Sequence, residues 1–174
     1  MSRTRLLETA MGVDVTDERV PEPDLDGAGA GLRIAVVCGR FNSHVTLRLL
    51  DGVRRGLAAC GVAESDVEEV WVPGAFEIPL AAKTFALTGR YDAVIALGAV
   101  IRGDTAHFEY VAGPCAEGLQ QAQLETGVPV VFGVLTTENL DQALERSDLE
   151  GDNKGEESAR TALEMADLLR KVRS

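Results

Sequence analysis

Aromatic side chains are scarce in this chain, at 5% of 174 residues. So few rings cannot dominate a core, and each ring outside an apolar run asks for a reason. Histidine is scarcer, with only His44 and His107. Cysteine is limited to Cys38, Cys60 and Cys115, an odd number with neither metal nor redox spacing. That excludes a disulfide framework and fits a reducing, cytoplasmic compartment. Positive charge is in deficit: 17 Lys and Arg against 28 Asp and Glu leave a formal net charge of −11. Such a balance argues against nucleic acid and against an anionic membrane surface as partners. An anionic small substrate needs only a local basic pocket. No apolar run is long enough to span a membrane, and "MSRTRLLETAMG" lacks the apolar stretch of a signal peptide. No Walker A motif and no metal-ligand cluster occurs, so the expected chemistry uses neither nucleotide hydrolysis nor a metal.

What is present is an ordinary globular balance, 45% apolar and 26% charged, at a length that suits one core. Residues 1–31 stand apart. "TDERVPEPDLDGAGAG" is acidic, then Pro-rich, then Gly-rich, and reads as a flexible arm before a domain over residues 32–174. From Leu32 short apolar runs alternate with helical patterns. "LRIAVVCG", "VEEVWVPG", "YDAVIALGAVI" and "VPVVFGVLT" are continuous rather than alternating, as strands covered on both faces are. Between them lie a helix from Asn42 or Ser43 to Gly61, one over "FEIPLAAKTFALTG", one beginning around Pro114, a short one capped by Thr137 and a long closing one. The expected fold is an α/β three-layer sandwich, a four-stranded parallel sheet of flavodoxin-like type with right-handed crossovers.

Ligands of such sheets sit beyond the carboxyl ends of the strands. The four exits read "GRFN", "PGAFE", "RGDTAH" and "TTEN", with Phe132 just before the last. Arg146 and Asn153-Lys154-Gly155 flank the start of the closing helix. Each residue alone has an ordinary reading: a core phenylalanine, a solvated cation, a helix-start carboxylate. Together they place aromatics, an amide, a carboxylate, a histidine and two cations on one edge. Gly103-Asp104-Thr105 can offer backbone N–H groups and a hydroxyl to a phosphate, and Arg146 a bidentate contact. Phe41 can stack on a planar heterocycle, Glu77 can accept hydrogen bonds from a polyol, and His107 can move protons near neutral pH.

As a set, "GRFN", "VPGAFEIPLAAK", "YDAVIALGAVIRGDTAHFEYV", "GVPVVFGVLTTENLDQALER" and "DNKG" resemble lumazine synthase, in order, from Leu32 to the C-terminus. The resemblance implies condensation of 5-amino-6-(D-ribitylamino)uracil with 3,4-dihydroxy-2-butanone 4-phosphate, without a cofactor. The products are 6,7-dimethyl-8-ribityllumazine, phosphate and water. It implies that Phe41 stacks on the pyrimidine with Asn42 beside it. Ala75, Phe76 and Glu77 hold the ribityl chain, and Val100 and Ile101 reach the pyrimidine through their backbone. Asp104, Thr105 and Arg146 bind the phosphate, His107 shuttles protons, and Lys154 binds near the pyrimidine or phosphate. Phe132 comes from a neighbouring subunit, because family sites lie between subunits of a pentamer, and some members build shells of twelve pentamers.

The chain departs from the family in two places. The link from Arg146 to Lys154 has the length of shell-forming members, but its "SDLEGD" is acidic where the family is often Gly- and Lys-rich. The N-terminal arm is longer, with "GVDV" at Gly12–Val15 a candidate for pairing with a neighbour's sheet. Two rival classes stand beside the synthase: a flavin- or lumazine-binding paralogue without turnover, and a structural shell protein. A Cys115–His107 nucleophile pair is a further, weaker alternative, since the reaction needs no thiol.

Overall fold

The computed structural model describes residues 4–9, 12–17 and 19–174, with the side chains of residue 17 and of 19–174. β1 (Thr4–Thr9) and β2 (Gly12–Asp17) pair antiparallel, Thr4 opposite Asp17 and Thr9 opposite Gly12. The segment read as a flexible arm therefore carries a hairpin, and Gly12–Val15 finds its partner within the chain. The arm's distal end is also tied down. Leu25 is buried in the core, and the Gly29 N–H donates to the Cys60 carbonyl at 2.9 Å.

β3 (Ile34–Gly39), β4 (Val67–Val72), β5 (Ala93–Ile101) and β6 (Val130–Thr137) form one all-parallel sheet in the order β4-β3-β5-β6. The helices are α1 (Ser43–Ala59), α2 (Ile78–Leu87), α3 (His107–Thr126), α4 (Leu140–Glu145) and α5 (Lys154–Arg173). Strand alternation sorts the core into two layers. Ile34, Val36, Cys38, Ile95 and Leu97 pack with α1 and α5, while Ala35, Val37, Val94 and Ala96 pack with α2 and α3. Every residue of β3 is buried, which is why its sequence is apolar without alternation. Each large side chain so buried contributes roughly 1.5–3 kcal/mol. The three-layer α/β/α sandwich expected from the sequence is thus the observed fold.

Three local readings differ from the structure. α3 starts at His107, and Pro114 lies inside it. Phe108, Val111, Ala112, Cys115 and Leu119 keep the helical spacing on the core side, and that burial outweighs the N–H that proline lacks. α4 is capped by Asn139, whose side chain accepts from the Gln142 N–H at 2.9 Å; Thr137 is buried at the end of β6 instead. Asn42 precedes α1 without capping it by its side chain.

The connections β3–α1–β4 and β4–α2–β5 step in opposite directions from β3, so the sheet order reverses between β3 and β5. A crevice opens there beyond the strand ends. β5 also outruns β3: their pairing ends at Cys38 opposite Leu97, whereas β5 stays paired with β6 through Ile101 opposite Thr137.

Candidate active site

The crevice at the β3–β5 switch is one half of the site. β3 and β4 leave the sheet tied together, Arg40 N–H to Val72 O at 2.9 Å and Phe41 N–H to Pro73 O at 3.0 Å. The Phe41 ring then lies against Gly74. A Cβ on Gly74 would sit 2.5 Å from Phe41 Cδ2, so only glycine admits the ring there. Glu77 Oε2 approaches the same point, at 3.5 Å. Ala75–Glu77 form a single 3-10 turn leading into α2, with Ala75 buried and Phe76 and Glu77 exposed. Phe41 is 72% exposed and Phe76 61%. In a chain so poor in aromatics, two bared rings beside a carboxylate can stack on a planar group and accept hydrogen bonds from hydroxyls.

Asn42 closes the crevice. Its φ of 58° makes it the one non-glycine residue with positive φ among the described residues. Asparagine tolerates that conformation better than most. Its Nδ2 donates to the Ala99 carbonyl at 2.8 Å, on the stretch of β5 that β3 leaves unpaired. Arg102 N–H bonds instead to Thr137 O, toward β6. Since main-chain groups alternate sides along a strand, Ile101 turns its N–H and C=O to the crevice and Val100 turns its own to β6. Of the two residues expected to offer backbone groups, Ile101 alone faces the crevice.

The β5–α3 connection supplies Asp104, Thr105 and His107, all exposed. His107 is the first residue of α3, and its N–H lies 3.4 Å from Thr105 Oγ1. Arg102 braces this segment. It pairs with Glu109 in the first turn of α3 and with Glu138 after β6 at 2.7 Å, and its guanidinium lies 4.2 Å from the centre of the Phe108 ring. The Arg102 guanidinium holds the Glu109 carboxyl below its ordinary value. α1, α2 and α3 all start at this edge and turn the positive ends of their dipoles to it, an electrostatic setting that suits an anion.

Phe132, Arg146 and Lys154 lie elsewhere. They line a groove of about 930 Å³ along the open edge of β6, between α3 and α5. None of Phe41, Phe76, Glu77 or His107 lines that groove. Arg146 follows α4 and returns its guanidinium to the Gln142 carbonyl at 3.0 Å. Lys154 opens α5, pairs with Glu157, and donates its N–H to the Arg146 carbonyl at 2.9 Å. The predicted residues thus form two clusters, a stacking and polyol cluster at the crevice and a cationic one at the sheet edge.

Residues 31–170 match the family of 6,7-dimethyl-8-ribityllumazine synthase. The chain belongs to that family. It is accordingly an enzyme, the transferase lumazine synthase of riboflavin biosynthesis, and the α/β sheet described above is that of lumazine synthase.

Three residues that support the candidate site escaped the reading of the sequence as ligand contacts. Gly74 admits the Phe41 ring, Arg102 braces the β5–α3 segment, and Asn153, 6% exposed, caps α5. All three stand in the motifs "PGAFE", "RGDTAH" and "DNKG", but nothing local in the sequence distinguishes support from contact. The Cys115–His107 nucleophile alternative loses its ground. Cys115 is buried at 1% exposure and burial pushes its thiol up to about 11, whereas His107 is exposed.

Proposed function

We propose that the two clusters are halves of one catalytic site, completed only when the β6 edge of one copy of the chain meets the crevice of the next. The division itself carries this reading: Phe132, Arg146 and Lys154 line the β6 groove without the crevice residues. A closed ring of copies, the pentamer of the family, repeats that heterologous contact. Phe41 stacks on the pyrimidine, Asn42 holds the crevice beside it, and Ile101 offers its backbone. Ala75, Phe76 and Glu77 take the ribityl chain. Asp104 and Thr105 of the same copy and Arg146 of the neighbour take the phosphate of the four-carbon substrate. Lys154 adds charge there, and Phe132 closes the pyrimidine pocket from the neighbour's side.

The chemistry follows from this placement. The 5-amino group adds to the ketone, and water leaves as the imine forms. The phosphate is then eliminated, and the second amine closes the ring with loss of water. His107 carries protons among these steps. Much of the acceleration comes from holding two reactants in register. The synthase domain spans residues 32–174, supported by a family match beginning at residue 31. Buried free thiols favour a cytoplasmic setting, and among the described residues no helix is long and apolar enough to cross a membrane.

Subunit complementation tests the reading. His107→Ala and Arg146→Ala are each purified, mixed, dissociated and reassembled. If sites form between copies, random assembly restores roughly a quarter of them. A mixture no more active than its two components would place the whole site in one chain and reject the proposal.

A further inference from the structure

We propose that Asn153 is a positioning residue, fixing Arg146 and Lys154 so that the four-carbon phosphate is bound at useful affinity. The inference rests on the reading of Arg146 as the phosphate's partner. Asn153 is 6% exposed, yet its amide is fully engaged. Nδ2 donates to the Arg48 carbonyl at 3.2 Å and to the Ser147 carbonyl at 2.9 Å. Oδ1 accepts from the Gly155 N–H at 2.8 Å and the Glu156 N–H at 3.2 Å. One side chain therefore joins α1, the α4–α5 link and the first turn of α5.

The two cations flank this joint. Ser147 follows Arg146, and Lys154 follows Asn153. Ser147 and Asn153 form an isolated bridge, and the Lys154 N–H donates to the Arg146 carbonyl at 2.9 Å. The link thus leaves and returns at one point, with Arg146 and Lys154 side by side on the groove. α1 and α5 close tightly around it. A Cβ on Gly52 would overlap Asn153 Oδ1, and one on Gly155 would overlap the Leu49 carbonyl. No other common side chain of this size does the same work. Aspartate keeps the cap but cannot donate to two carbonyls, and serine caps the helix but does not reach them. Either change removes the tie from Asn153 to the Arg48 and Ser147 carbonyls; the Ser147 carbonyl then keeps only its bond from Arg48 Nε at 3.2 Å, and the link relaxes at the point that spaces the cations.

The test is steady-state kinetics on the full-length assembled enzyme, each substrate varied in turn, with melting temperature recorded. Variants are Asn153→Ser, which retains the cap, and Gly52→Ala, which displaces the amide without altering it. Gly56→Ala is the control. It crowds Ala159 at 2.9 Å and Glu156 O at 3.2 Å one turn along α1, and so loosens the same helix pair without meeting the Asn153 side chain. Arg146→Ala runs in parallel. The expected result for Asn153→Ser and Gly52→Ala is a KM for the butanone phosphate raised about tenfold, with kcat and the other KM within about twofold. Gly56→Ala lowers the melting temperature and leaves both KM values in place. If the KM for the phosphate substrate stays in place in both test variants, or merely follows melting temperature across all three glycine and asparagine variants, Asn153 is structural only. If Arg146→Ala also leaves that KM unchanged, the reading of Arg146 falls and the inference falls with it. If Arg146→Ala raises it and the test variants do not, the inference alone is overturned.

Discussion

The two halves of the proposed site are built by opposite means. The crevice half is open: Phe41 and Phe76 are mostly exposed, and what aims them is steric, a glycine under a ring and an asparagine bent to positive φ. The β6 half is partly sunk. The Arg146 and Lys154 side chains are 21% and 29% exposed, and hydrogen bonds to main-chain carbonyls and N–H groups set their places. The contrast matches the tasks proposed for them. A stacking platform gains from being bare until a ligand or a neighbour covers it. A charge that must grip a phosphate gains from a fixed, half-desolvated setting, where charge-assisted bonds are shorter and stronger. On the function proposed above, one half recognises shape and the other charge, with His107 beside the first.

That contrast can be broken most severely at His107. His107→Ala should lower kcat by about a hundredfold or more while both KM values change little, because only proton movement is lost. Steady-state turnover against a no-protein control measures it. A rise in KM without a fall in kcat would make His107 a binding group and blur the division between binding and chemistry.

A smaller effect is expected at Gly74. Gly74→Ala puts a methyl where the Phe41 ring now lies, 2.5 Å from Cδ2. The ring must turn aside, and stacking of a base on an aromatic is worth about 1–3 kcal/mol. The KM for the ribitylaminouracil should therefore rise about tenfold, with that for the butanone phosphate little changed. This is the mirror image of the result expected for Asn153→Ser. If Gly74→Ala shifted both KM values alike, the two halves would not be separable recognition elements.

The two halves also differ in how far they were legible in the sequence. The parallel sheet was legible because its strands are buried on both faces and so read as unbroken apolar runs. Its exits then pointed to Phe41, Glu77, Asp104 and His107. Backbone direction was not legible, since the sidedness of Val100 and Ile101 depends on which neighbour each strand residue faces. Pro114 misled because a proline is most at home in a first turn, whereas here the apolar spacing from Phe108 to Leu119 carries the helix through it. Asn153 was visible as a letter in "DNKG", but its role depends on Arg48, 105 residues away, bringing a carbonyl within reach. The hairpin before residue 18 was hidden by the acidic, Pro- and Gly-rich stretch that follows it.

The smallest expected effect probes what joins the halves. Arg102 ties the first turn of α3, through Glu109, to the segment after β6, through Glu138. Both carboxylates are well exposed, so screening keeps the contribution modest. Its pH dependence nevertheless has a definite sign. Glu109 is held below its ordinary value of 4.5, first by the hydrogen bond from Arg102. A carboxyl depressed in the folded state adds stability above its unfolded value, and that stability is lost as pH falls through the folded value. Arg102→Gln should thus melt slightly below the parent at neutral pH and low salt. The gap should shrink below pH 4.5, and high salt should shrink it at any pH. Melting curves at several pH values and two salt concentrations decide the matter. A gap that survives both acid and salt would trace the brace to the guanidinium resting on Phe108, 4.2 Å from the ring centre, rather than to its ion pairs. The brace would then be a packing contact within the β5–α3 segment, set by the same steric means as the crevice and not by the hydrogen bonding that orders the groove.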